Sequence, residues 1–103
     1  MVGEDEARQI IRVTKDFGDR YAEVSAVRVP ESDRYPEGIK YSMQYGNAAG
    51  ETIVRYDNFP DHPGVSSHHK HRADGNVEDI DFDGLRALFE RFKSEVREHG
   101  HDW

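Results

Sequence analysis

At 103 residues with a formal charge of −7, the chain is the length of one domain, able to bury a core with little to spare. Cysteine is absent, which excludes disulfides and thiolate metal sites. No apolar run nears the ~20 residues of a membrane helix and the opening MVGEDEA is unlike a secretory leader, so a soluble cytoplasmic protein without membrane contact is expected.

Residues 1–8 read as a flexible charged tail. Segments 9–17 (QIIRVTKDF) and 21–29 (YAEVSAVRV) are rich in β-branched residues around Gly18-Asp19, which predicts a hairpin. An N-terminal helix through residues 4–16 is the alternative for the first element. The segment PESDRYPEG, 30–38, is a loop by its prolines and glycine. Ile39, Tyr41, Met43 and Tyr45 then alternate with Lys40, Ser42 and Gln44, the period of a half-buried strand. After the turn GNAAGE, TIVRYDN is its antiparallel partner, with Val54 and Tyr56 on one face and Ile53, Arg55 and Asp57 on the other. Residues 59–80 read as one long connection, of the kind that carries function.

Leu85, Leu88, Phe89, Phe92 and Val96 fall on one face of a helix over residues 82–98. Asp81 is its expected N-cap and Gly100 its stop; Arg86–Glu90 and Arg91–Glu95 are pairs at helical spacing on the solvent side. His99 and His101 are expected in a solvated tail. The fold class is therefore α+β: a single domain with a mostly antiparallel sheet of about four strands and a C-terminal amphipathic helix packed on one face.

The chemistry concentrates in HPGVSSHHKHR, residues 62–72, which holds four of the six histidines, Lys70 and Arg72 without one acid, in the connection that begins directly after RYDN. Histidine ordinarily titrates near 6.5, so one neutral and one protonated ring can act as base and acid together. Metal-free RNA cleavage needs that pair and cations around the phosphorane. If extended, His69 and His71 share a side, with His68 and Lys70 on the other. The candidate catalytic set is His69, His71, Asp57, Lys70 and Arg55: two rings, a carboxylate to orient one, and cations for the transition state. Tyr56, which could stack a base, joins Asn58, His68 and Arg72 as candidate substrate-binding residues. Other readings stand beside this one. The loop can be a solvated polar rim, or His69, His71 and Asp57 can ligate a metal. Tyr56 can be core, Arg55 and Asp57 can simply pair, and Asn58 can form a turn. No cofactor is required by the catalytic reading.

The succession GIKYSMQY, IVRYDN, PDHPGVSSHHKHR and a terminal amphipathic helix resembles the TumE family, toxins of toxin–antitoxin pairs, from about residue 24 to 98. The resemblance is carried by Tyr56, Asp57 and Asn58 at the strand end and by His68, His69, Lys70 and His71 after it. It implies a cognate antitoxin as partner, usually a helix-turn-helix protein encoded alongside. RNA and a second copy of the chain are further expected partners. A broad basic field for nucleic acid is missing, with 21 carboxylates against 14 basic groups. Yet the arginine-rich, lysine-poor mixture is similar to that of salt-accumulating archaea, where molar salt shortens electrostatic reach to ~3 Å and local chemistry outweighs net charge. The alternative class is a non-catalytic protein-binding module.

Overall fold

The β-branched segments around Gly18-Asp19 pair as β1 (Arg8–Asp16) and β2 (Arg20–Arg28), so the strand reading of the first element holds and the helix alternative does not. The computed structural model describes residues 8–33, 35–58 and 68–103. Most of the expected tail lies outside those residues; Arg8 already opens β1. Next come β3 (Ile39–Asn47), β4 (Thr52–Asp57), β5 (His69–Arg72) and β6 (Val77–Asp79), then one helix, α1 (Leu85–Arg97). The strands form one sheet in the order β1-β2-β3-β4-β5-β6, each antiparallel to the next.

The sheet thus has six strands rather than about four, because the segment expected as a loop, 59–80, contains β5 and β6. Its turn is Asp74-Gly75, with Gly75 at φ 89° and Asp74 accepting a hydrogen bond from the Asn76 backbone N–H. Asp-Gly between short runs is a hairpin signal. It was obscured because HKHR and VED lack the apolar alternation that marks a strand. What holds β5 is the hydrogen-bonding edge of β4.

Alternation gives the sheet two different faces. Ala22, Val24, Ala26, Tyr41, Met43, Tyr45, Val54 and Tyr56 point to one side and are buried against Leu88, Phe92 and Val96 of α1. Leu85 and Phe89 pack at the margin of this core. The other face carries Arg12, Glu23, Ser25, Ser42, Gln44, Arg55, Asp57, His69 and His71 in matched register.

Two ends of α1 depart from expectation. The helix begins after Gly84 (φ 112°), which makes no side-chain cap, rather than at Asp81. Phe82 is held elsewhere: its ring stacks on His68 at 4.5 Å and on Tyr41 at 5.7 Å, and the glycine conformation then redirects the chain. At the other end the tail is partly packed: His101 and Trp103 are half-buried, while His99 stays exposed as expected. His101 stacks on Phe17 at 4.2 Å and bonds the Tyr45 hydroxyl, His99 lies 4.9 Å from the Tyr45 ring, and Trp103 meets Phe17, Phe89 and Phe92.

Candidate functional site

Pairing of β4 with β5 places Arg55 opposite His71 and Asp57 opposite His69. Because partners across a ladder share a face, all four side chains meet on the side of the sheet away from α1. Asp57 is the hub. Its Oδ2 lies 2.8 Å from Arg55 Nε and 3.3 Å from His71 Nε2, while its Oδ1 lies 3.6 Å from His69 Nδ1. The His69 and His71 ring centroids are 6.0 Å apart. Asp57 and His69 are enclosed, with side chains 1 % exposed, whereas His71 (17 %) and Arg55 (33 %) reach solvent. The cluster therefore has a buried anion and ring behind an accessible ring and guanidinium. It can accept a proton at His71, steady the resulting charge with Asp57, and meet an anion with Arg55.

The remaining candidates occupy the opposite face. Lys70 sits opposite Tyr56 and its ammonium contacts Glu95 of α1 at 2.7 Å. Tyr56 is fully buried, its hydroxyl donating to Glu95 and its ring meeting Phe92 edge-on. Burial, reinforced by the Glu95 carboxylate, pushes its phenol well above the ordinary value. Arg72 is exposed and pairs with Glu78 across the β5–β6 hairpin at 3.0 Å. Asn58 completes the sheet: its Nδ2 donates to the Ile39 carbonyl at 2.7 Å, and its Oδ1 accepts from the Tyr41 N–H at 3.0 Å. It replaces the backbone partner that β4 would have supplied to β3. Residues 59–67, His62 among them, lie outside the described residues.

His68 belongs to a second arrangement that sequence reasoning missed. Its Nδ1 lies 2.8 Å from the Tyr41 hydroxyl and its Nε2 3.1 Å from Glu37. Burial first, then the Asp57 and Glu37 carboxylates, raise the Tyr41 phenol well above its usual range. A phenol so disposed keeps its proton and donates to Nδ1, leaving Nε2–H for Glu37. With Phe82 stacked on the ring, this chain anchors the start of β5. Glu37 lies in the 30–38 loop, where no periodicity marks it.

Asp57, His69 and His71 also offer one ligand atom each within 4.8 Å of the others. Two ligands on a tetrahedral zinc stand about 3.4 Å apart given bond lengths near 2.1 Å, so the three would have to draw together. Arg55 already sets a fixed positive charge against Asp57 Oδ2, which opposes a divalent ion there.

Comparison with known proteins gives one family: the model described as Toxin TumE matches residues 2–99. That range takes in the acidic N-terminal segment as well as the strand-end and histidine motifs. No curated protein and no solved structure gives a significant match.

Proposed function

Since the chain belongs to the TumE toxin family, we propose that it is the toxin of a toxin–antitoxin pair and disables RNA by metal-free cleavage at Arg55, Asp57, His69 and His71. The observation that carries this reading is the convergence of two histidines, a carboxylate and a guanidinium on the face of the sheet away from α1. In the scheme, His71 removes the 2′-hydroxyl proton. O2′ then bonds phosphorus, the bond to O5′ breaks, and O5′ takes a proton that a water passes on from protonated His69, whose ring is too enclosed to touch the substrate, leaving a 2′,3′-cyclic phosphate. Asp57 steadies both imidazolium forms, and Arg55 offsets the charge of the phosphorane. The rate should be bell-shaped in pH, since one ring must be neutral and the other charged.

The partner in this reading is a helix-turn-helix antitoxin that covers the same face, in a cytoplasm for which the acid-rich composition suggests high salt. Lys70, Arg72, Tyr56 and His68 serve the fold or the rim of the site rather than the reaction. A second reading, a histidine–carboxylate metal centre, is favoured by the proximity of the Asp57, His69 and His71 ligand atoms.

Expression in cells tests the proposal against a binding module. His71→Ala should abolish growth arrest while the purified variant keeps its fold and its complex with the antitoxin. A variant that stays toxic, or that loses the complex while no cleavage phenotype exists, favours the module.

A further inference from the structure

The polar face extends well beyond the four clustered residues. One row across the strands runs Thr14, Glu23, Gln44, Arg55 and His71, and the next runs Arg12, Ser25, Ser42, Asp57 and His69. Over β1–β3 these rows line a depression of about 180 Å³ walled by Arg12, Thr14, Glu23, Ser25, Ser42 and Gln44. A neighbouring hollow shares Thr14 and Glu23 and reaches Tyr21.

Tyr21 is the aromatic at the end of this track. It pairs with Gly46 of β3, and its ring lies across that glycine: a Cβ at position 46 would come within 3.0 Å of the ring Cε1. The Gln44 side chain donates to the Tyr21 hydroxyl at 2.6 Å, which fixes the ring. The ring is only partly buried. A pinned aromatic, resting on a residue without a side chain, presents a π-face at little entropic cost.

We infer that Tyr21, Gln44 and Gly46 form a stacking platform for one unpaired base of a single-stranded nucleic acid lying across the face of the sheet away from α1. This rests on the RNA reading of the Arg55–Asp57–His69–His71 cluster and adds where the strand runs. Three strand spacings separate β2 from β5, about 14 Å, so the stacked base lies a few nucleotides from the phosphate at His71. The chemistry of the track suits bases against the sheet and phosphates outward. Ser25, Ser42 and Gln44 can bond base edges, Glu23 can accept from an exocyclic amino group but repels phosphate, and Arg12 and Arg55 bracket it with positive charge. A duplex, whose bases are stacked inside and whose phosphates face the protein, does not fit that order.

Binding of a short fluorescein-labelled single-stranded DNA separates this inference from the cleavage it rests on, because DNA lacks the 2′-hydroxyl and stays intact. Tyr21→Ala should weaken binding about 5- to 150-fold, the range of one lost base–aromatic stack. Tyr21→Phe should bind nearly as the parent, since the ring remains. Tyr21→Leu, which keeps apolar bulk over Gly46, should lose binding like the alanine variant and carries the test if the alanine variant does not fold. If the parent cuts RNA and folded Tyr21→Leu binds DNA equally well, the platform is overturned and the cleavage reading stands. If the parent neither cuts RNA nor binds the DNA, both fall together.

Discussion

Asn58 shows how a single side chain decides the geometry of the site. With 1 % exposure, its amide satisfies a backbone donor and a backbone acceptor of β3 just where β4 leaves the ladder. It thereby holds Asp57, one residue earlier, in line with His69. Asn58→Ala leaves the Tyr41 N–H and the Ile39 carbonyl without this partner, at about 1–3 kcal/mol for each group left unsatisfied. Asn58→Asp can still accept from Tyr41 but cannot donate to Ile39, and it adds a second carboxylate beside Asp57. Urea unfolding should rank the proteins parent, then alanine or aspartate, with the aspartate variant no better than alanine. An aspartate variant as stable as the parent would contradict this role.

At the scale of elements, β3 and α1 define the covered face, and β4 with β5 carry the clustered site on the face away from α1. Phe92 is fully buried and touches both Tyr56 and Trp103, whereas Phe89 sits at the margin. Phe92→Ala should therefore cost about 3–5 kcal/mol and Phe89→Ala less, measured as the shift in denaturation midpoint. Equal costs would mean that the helix is rotated from the orientation described. Much of this was legible in the residues: the 39–45 alternation placed Tyr41, Met43 and Tyr45 inward, and the spacing of Leu88, Phe92 and Val96 named the helix face. Arg55, Asp57, His69 and His71 could be grouped because alternation sorts a strand's side chains whether or not they are apolar. Three things could not be read. HKHR has no hydrophobic signature as a strand, since its stability comes from β4's edge, and Lys70's neighbour Glu95 is fixed only by the docking of α1. His101 gave no sign of packing because Phe17, its partner, lies over eighty residues away in sequence.

For the whole molecule, buried phenols set an alkaline limit. Burial is the leading cause that raises Tyr41, Tyr45 and Tyr56 above the ordinary value. Below about pH 10 these groups are protonated in both folded and unfolded chains, so their contribution is fully present there. As the pH rises beyond that, the unfolded chain releases protons that the folded one retains, and stability is lost. Melting temperature should fall steeply from about pH 10, and Tyr56→Phe should flatten the fall; an unchanged slope in that variant would contradict it. The two faces of the sheet differ, with α1 closing the core on one side and the Arg55–Asp57–His69–His71 cluster lying on the other. The most direct test is cleavage of a single-stranded RNA by the purified protein in excess EDTA, with the product ends identified by mass spectrometry. The account predicts cleavage that persists under chelation, yields 2′,3′-cyclic phosphates, and disappears in His71→Ala. Cleavage abolished by EDTA and restored by zinc, or intact RNA at every pH with a protein that is toxic in cells, would contradict it.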